Sequence, residues 1–275
     1  MSVSRNAYLA PDKVIHHRWL HGAESVVCLR CLAGNSPVSF VTNDAWGPVM
    51  REPAAFVLVH GAWCGGYIWR GVADRLRACG HRVFTPTLTG LADRSHLLSP
   101  TIDLATHIAD VVNLVRWEGL DDFVLVGHSY GGMVINGVAE ALREGAIRSI
   151  VFLDACVPRN GESTVAIEEP LAEAFASDPV PFLFTGQTGR PDFEALTTPH
   201  PKRTLHDPAR VTGKVAAIAQ KHFILATRPA MPWFVDTARR LSDDPGWCVH
   251  EIACSHGTML DLPEGTTRLL LNAAG

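Results

Sequence analysis

The chain has 275 residues, of which 47% are hydrophobic and 19% are charged, with 23 glycines and 18 prolines. This composition is typical of a globular protein and excludes a disordered or collagenous chain. The formal net charge is −4 and no basic stripe occurs, so we expect no nucleic-acid partner. No apolar run of about 18 residues and no apolar signal core is visible, and we expect a cytoplasmic protein that does not cross a membrane.

Residues 1–52 differ in pattern from the remainder of the chain. Short apolar pieces are broken by Gly, Asn and Pro without a sustained period, and we interpret the segment as an N-terminal extension of unclear structure. The segment holds five possible zinc donors, which are Cys28, Cys31, His16, His17 and His21. Their spacing fits no regular zinc site, so we expect no metal. No phosphate-binding loop or dinucleotide fingerprint occurs, so we expect no cofactor.

From residue 53 onward, strand-like and helix-like patterns alternate. Segments that we interpret as strands lie at 56–60, 82–87, 122–126, 150–153, 223–226 and 247–252. Apolar residues recur at helical spacing in the segments 67–79, 103–117, 130–143, 232–241 and 263–271. This alternation predicts an α/β protein with a doubly wound, mostly parallel sheet and helices on both faces.

The alternation fails between residues 157 and 210, a segment rich in proline. Because proline breaks helices and cannot donate to a strand ladder, this segment excludes long helices and central strands. Loops of this length inside a compact domain are usually functional. We therefore predict a cap of about 157–210, inserted between the strand near 150–154 and the strand near 222–227. Around it, residues 53–275 are predicted to form a single α/β domain.

The feature that points to chemistry is the run Gly127-His128-Ser129-Tyr130-Gly131-Gly132. It lies between an apolar strand pattern and an amphipathic helix pattern, which is the context of a nucleophile elbow. In such an elbow a serine occupies a strained conformation at a sharp turn, and glycines two positions before and after it avoid a clash. We predict that Ser129 is a nucleophile; the alternative is an ordinary glycine-rich turn.

A serine hydroxyl needs an adjacent base to act at neutral pH. In folds of this kind the chain order is serine, acid, histidine. His256 follows the predicted strand at 247–252 and precedes the last predicted helix, which places its loop at the same edge of the sheet as Ser129. We predict that His256 is the general base, and we interpret His60 and His128 as residues that shape their turns.

The acid that would orient the imidazole has two candidates. Asp154 ends the predicted strand at 150–153, beside the strand that leads to Ser129. The loop after the strand at 222–227 has no carboxylate, and Asp236 lies further on, within a predicted helix. We favour Asp154 and keep Asp236 as the alternative.

An oxyanion hole combines the amide of the residue after the nucleophile with an amide from an earlier strand–helix loop. The residue after the nucleophile is Tyr130. The earlier loop follows the first predicted strand of the domain and reads His60-Gly61-Ala62-Trp63. We predict that the backbone N–H groups of Ala62 and Tyr130 are the donors.

From residue 54 to the C-terminus the chain resembles the α/β-hydrolase superfamily. It is most similar to the branch of plant methyl-ester esterases and hydroxynitrile lyases with their bacterial relatives. The similar stretches are 58–95, 123–135, 151–163 and the His256 loop. The resemblance implies an α/β-hydrolase fold in which Ser129 is the nucleophile and His256 the base, with Ala62 and Tyr130 as oxyanion donors.

The chain departs from this branch in two places. The plant enzymes carry their acid after the penultimate strand, where this chain has Arg228 and Pro229, so that position does not transfer. Hydroxynitrile lyases have threonine after the histidine of the first strand and lysine after the catalytic histidine. Here these positions are Gly61 and Gly257, which weakens a lyase interpretation.

These observations predict a serine carboxylesterase that cleaves a small-molecule ester through an acyl-Ser129 intermediate. The candidate pocket residues are aromatic, and they are Trp63, Phe182, Phe184 and Trp233. Two alternatives stay open: a hydroxynitrile-lyase-like or C–C bond-cleaving enzyme with the same side chains, and a non-catalytic ligand binder. The sequence predicts neither the substrate's identity nor the oligomeric state.

Overall fold

The computed structural model describes residues 26–30, 53–169, 183–184 and 196–275. Its strands are β1 (Val26–Arg30), β2 (Ala55–Val59), β3 (Arg82–Phe84), β4 (Phe123–Ser129), β5 (Ile147–Ala155), β6 (Leu183–Phe184), β7 (His200–Pro201), β8 (Gln220–Ala226) and β9 (Cys248–Ile252). Seven of these strands form one sheet in the order β1-β9-β8-β5-β4-β2-β3. The strands from β9 to β3 run parallel, which confirms the prediction of a mostly parallel sheet.

Nine α-helices lie in the described part of the chain. They are α1 (Arg70–Ala78), α2 (Leu104–Trp117), α3 (Gly131–Ala141), α4 (Thr164–Ile167), α5 (Lys202–His206), α6 (Lys214–Ala217), α7 (Pro232–Ser242), α8 (Thr258–Asp261) and α9 (Pro263–Ala273). Helix α2 begins with a capping box, in which Asp103 Oδ1 accepts the Thr106 N–H at 2.9 Å. Helices α7 and α9 begin at prolines, whose fixed φ suits the first helical position.

The core lies on both faces of the sheet. All seven residues of β4 are buried, which explains why this strand reads as a continuous apolar run. Since alternate side chains of a strand point to opposite faces, Val124 and Val126 pack in the cluster that includes α1 and α9. Phe123 and Leu125 pack in the cluster that includes α2 and α3. The sheet is therefore covered by helices on both sides, as predicted.

The strand bounds differ from the sequence-based ones in an informative way. The prediction of a strand at 82–87 is wrong beyond Phe84, because Pro86 cannot donate to a ladder. By contrast, β4 and β5 extend beyond the predicted ends, to Ser129 and Ala155. Both extensions run toward the carboxyl edge of the sheet, where open α/β folds place their ligands.

Between β5 and β8 the regular alternation stops, as the prolines predict. The described elements of this segment are the short helices α4, α5 and α6 and the antiparallel pair β6–β7. Residues 170–182 and 185–195 of the predicted cap lie outside the described residues. No helix in the described ranges is long and apolar enough to cross a membrane.

Strand β1 comes from the segment before residue 53. It pairs antiparallel with β9 from Val26 opposite Ile252 to Arg30 opposite Val249, with an irregularity after Cys28. The strand covers an edge of the sheet that β9 would otherwise form. The division of the chain into an extension of 1–52 and a domain of 53–275 stays a prediction.

Candidate active site

Ser129 lies at the end of β4, in a turn that only a strained backbone can make. Its φ is +53°, in the left-handed region that non-glycine residues rarely adopt. A Cβ at Gly127 would lie 2.6 Å from the Gly131 carbonyl oxygen, and one at Gly131 would lie 2.7 Å from the His60 oxygen. These close approaches are the physical reason for glycine on both sides of the serine, as the elbow motif predicts.

Asp154 lies in the neighbouring strand β5 and is also held at positive φ, at +43°. Its side chain is only 1% exposed. Oδ1 accepts a hydrogen bond from the Ala226 N–H at 3.0 Å, which anchors the carboxylate to the end of β8. Oδ2 lies 2.6 Å from His256 Nδ1, so the structure brings the favoured acid and the predicted base together.

His256 lies in the loop after β9, and besides Asp154 two further residues hold it in place. His128 Nε2 donates a hydrogen bond to the His256 carbonyl oxygen at 2.9 Å, so the His256 loop is tied to the residue that precedes Ser129. The buried ring of Phe234, in α7, stacks on the His256 ring with centroids 5.7 Å apart. Burial, together with the nearby His256, lowers the pKa of His128 well below 6.5, which keeps that imidazole neutral.

Asp236, the alternative acid, lies on the outer face of α7. Its carboxylate is 71% exposed and pairs with Arg239 at 2.6 Å. In this arrangement Asp236 serves as a surface ion pair within a helix, whereas Asp154 contacts the imidazole.

The two predicted oxyanion donors lie in the turns that follow the neighbouring strands β2 and β4. Tyr130 is the residue directly before α3, so its amide belongs to the helix N-terminus, where the helix dipole favours negative charge. Ala62 lies in the turn that follows β2 and is buried. The Tyr130 hydroxyl lies 2.9 Å from His107 Nδ1, and His107 Nε2 lies 2.9 Å from the Thr89 carbonyl oxygen.

Three of the four predicted pocket residues lie within the described part of the chain. Trp63 and Trp233 are half-buried and pack against the core cluster that includes α3. Phe184 lies in β6, opposite His200 of β7. Phe182 lies outside the described residues, and the pocket assignment stays a prediction.

A buried carboxyl group that the sequence analysis missed lies beside these residues. Glu168 follows α4, and its Oε1 accepts a hydrogen bond from the Cys156 thiol at 3.1 Å. The Cys156 N–H in turn donates to the Ser129 carbonyl oxygen at 3.1 Å. Desolvation by burial raises the pKa of Glu168. No local sequence pattern distinguishes this glutamate from the exposed acidic residues of the chain.

Among the described residues, no group of three or more His, Cys, Asp or Glu side chains could hold a metal ion. The possible zinc donors at 16, 17, 21 and 31 lie outside the described residues.

A parallel sheet flanked by helices, with a strained serine turn at its carboxyl edge, defines the class of protein. The α/β hydrolase family matches residues 56–271, and the chain belongs to this family.

Known relatives indicate which kind of α/β hydrolase this chain is. The chain is 40% identical over 231 residues to the carbendazim hydrolyzing esterase of Nocardioides sp. (strain SG-4G), covering 76% of this chain and 95% of that protein. It is 34% identical over 110 residues to salicylic acid-binding protein 2 of Nicotiana tabacum, covering 40% of this chain and 42% of that protein. Among solved structures, an extracellular α/β-hydrolase from a Paenibacillus species is similar, with 26% identity and a TM-score of 0.66. That match covers 80% of this chain and 99% of the other. The chain is an esterase-type α/β hydrolase.

Proposed function

We propose that the protein is a serine carboxylesterase in which Ser129 is the nucleophile, His256 the general base and Asp154 the residue that orients the base. The observation that carries the proposal is the 2.6 Å contact between Asp154 Oδ2 and His256 Nδ1. An ionised carboxylate only accepts hydrogen bonds, so the proton of the neutral imidazole resides on Nδ1. The other ring nitrogen, Nε2, then carries the lone pair that a base needs.

The reaction proceeds in two halves. The Ser129 oxygen attacks the ester carbonyl while its proton passes to His256 Nε2, and the resulting oxyanion is held by the N–H groups of Ala62 and Tyr130. The imidazolium returns this proton to the leaving alcohol as the C–O bond breaks. Water then attacks the acyl-Ser129 ester with the same proton route, which releases the carboxylic acid and restores the hydroxyl.

The proposed substrate class is supported by the relatives and by the predicted aromatic pocket residues. A 40% identical relative is named for its hydrolysis of carbendazim, which makes that compound a first candidate to test beside simple methyl and aryl esters. The half-buried Trp63 and Trp233 favour a small apolar ester over a highly charged one.

The test compares two serine-to-alanine variants on adjacent strands. Ser129→Ala should lower kcat for an aryl acetate by about 10³-fold or more, and it should abolish labelling by a serine-directed phosphonate. The control is Ser149→Ala on β5, because the Ser149 hydroxyl is buried without a partner among the described residues and its removal should leave kcat unchanged. If Ser129→Ala retained wild-type hydrolysis, the proposed function would be refuted.

A further inference from the structure

The loop that carries the predicted oxyanion donor Ala62 is held from two sides by two buried histidines. His60, directly before the loop, holds the first of its peptide groups. His200, from the segment between β5 and β8, holds the second. Neither residue belongs to the proposed nucleophile, base and acid.

The first peptide group links Gly61 to Ala62. The Leu88 N–H donates to His60 Nε2 at 3.0 Å, so the proton of this imidazole resides on Nδ1. His60 Nδ1 therefore donates to the Gly61 carbonyl oxygen at 2.8 Å. In a planar trans peptide the C=O and the following N–H point in opposite directions. Fixing the Gly61 carbonyl thus also fixes the direction of the Ala62 N–H.

The second peptide group links Ala62 to Trp63. The Trp63 N–H donates to His200 Nδ1 at 3.2 Å, and the Trp63 carbonyl accepts from the Thr198 N–H at 2.9 Å. Trp63 has a φ of +64°, a strained value for a bulky residue, which persists only where its surroundings hold it. Both polar backbone groups of this strained residue are therefore bound by residues 198–200.

A chain of hydrogen bonds sets the proton position on His200. Thr204 Oγ1 donates its proton to the Pro201 carbonyl oxygen at 2.8 Å, so toward His200 Nε2, at 2.7 Å, the hydroxyl can only accept. Nε2 therefore carries the proton, and Nδ1 is left as the acceptor that the Trp63 N–H requires. His200 is fully buried, and this burial lowers its pKa well below 6.5, so the ring stays neutral.

His200 also contacts the residue that carries the second predicted donor. Its ring lies edge-on to the Tyr130 ring, with centroids 5.1 Å apart. His200 thus binds Trp63, the residue after Ala62, and contacts the side chain of Tyr130. Ala62 and Tyr130 are the two residues whose amides the oxyanion would need.

We propose that His200, held in its acceptor form by Thr204, is a positioning residue for the oxyanion site, acting through the Ala62–Trp63 peptide. The proposal rests on the proposed function, because an oxyanion site matters only where Ser129 attacks a carbonyl. If His200 has this role, the transition state is fully stabilised only while the segment from β7 to α5 packs against the loop after β2.

The experiment measures kcat and KM for an aryl acetate in three variants, each normalised to the endpoint of phosphonate labelling, which counts competent sites. His200→Leu removes the acceptor and should lower kcat about 10- to 100-fold with KM nearly unchanged, less than the about 10²–10³-fold loss of a whole donor. His200→Asn places an amide oxygen near the former Nδ1 and should recover most of the lost kcat. The control His222→Leu removes another buried histidine and should leave kcat per labelled site unchanged even if Tm falls.

Two results would overturn the proposal: a wild-type kcat per labelled site in His200→Leu, or an equal loss in His200→Asn and His200→Leu. If His200→Leu does not fold, Thr204→Val supplies the test, since it frees the imidazole to move its proton to Nδ1 and should lower kcat several-fold. An unchanged kcat in Thr204→Val would then count against the proposal.

Failure of the proposed function gives a different pattern. In that case Ser129→Ala would retain hydrolysis, whatever the effect of the His200 variants. If Ser129→Ala abolishes hydrolysis while His200→Leu leaves kcat per labelled site intact, only the role of His200 is refuted.

Discussion

In two places in this molecule the Nδ1 atom of a histidine contacts another side chain, but one partner is a carboxylate and the other is an imidazole. At the carboxyl edge of the sheet, His256 Nδ1 meets the carboxylate of Asp154 at 2.6 Å. On β8 and β9, His222 Nδ1 meets His250 Nε2 at 3.1 Å, and the two rings stack with centroids 5.4 Å apart. Burial lowers the pKa of both His222 and His250 to about 4.

An imidazole that takes part in proton transfer needs a partner that stabilises its protonated form. A carboxylate stabilises the imidazolium that forms when the base accepts a proton. A second neutral imidazole offers no such stabilisation, and His250 contributes to lowering the pKa of His222. The pair on β8 and β9 therefore remains neutral and acts as a polar contact inside the core, whereas the proposed base His256 has a carboxylate at its Nδ1.

The largest expected effect comes from removing the carboxylate of Asp154. Asp154→Asn keeps an oxygen for the Ala226 N–H but turns an amide toward His256 Nδ1, which then holds the wrong tautomer. We expect kcat for an aryl ester to fall by about 10³–10⁴-fold. The matched control is Asp236→Asn, which changes an exposed ion pair and should leave kcat unchanged. A large loss in Asp236→Asn with none in Asp154→Asn would reverse the assignment of the acid.

A smaller expected effect is the dependence of the free energy of unfolding on pH. The pKa values of His60, His107, His222 and His250 are lowered to about 4 by burial, while in the unfolded chain these groups titrate near 6.5. Between these values the unfolded state binds more protons, so lowering the pH favours unfolding. Each histidine should remove about 2 kcal/mol of the free energy of unfolding by pH 5. Denaturant titrations from pH 7.5 to 4.5 measure this loss.

The matched variant for this prediction replaces the pair on β8 and β9. With His222→Gln and His250→Gln combined, the loss between pH 7.5 and pH 5 should shrink by up to about 4 kcal/mol. Exposed carboxylates titrate mostly below pH 4.5, which separates their contribution. A free energy of unfolding that is flat between pH 6.5 and 5 in the wild type would contradict the expectation.

The sequence was informative wherever local pattern determines structure. Continuous apolar runs identified β4 and β5 because both faces of these strands are buried. The glycines around Ser129 predicted a sharp turn because a side chain at either position would clash with backbone. The placement of Asp154 beside His256 was expected because parallel strands end at the same edge of the sheet; the catalytic roles stay predictions.

Contacts between distant parts of the chain were not predictable. His200 and Trp63 are 137 positions apart, and no pattern in either segment indicates that one binds the other. The stacking of Phe234 on His256 depends on how α7 packs over the sheet, which hydrophobic periodicity does not define. Strand β1 was missed as well, since its apolar residues stand alone without a flanking helix pattern.

Strand β1 has a consequence for how the protein behaves at high concentration. By pairing with β9 it occupies the backbone N–H and C=O groups along that margin of the sheet. A chain shortened to begin at residue 53 would leave β9 as an unpaired edge strand. Such edge strands can pair with a strand of another copy of the chain. Light scattering should show more self-association for the shortened chain than for the full chain, and equal scattering of the two would show that β1 gives no such protection.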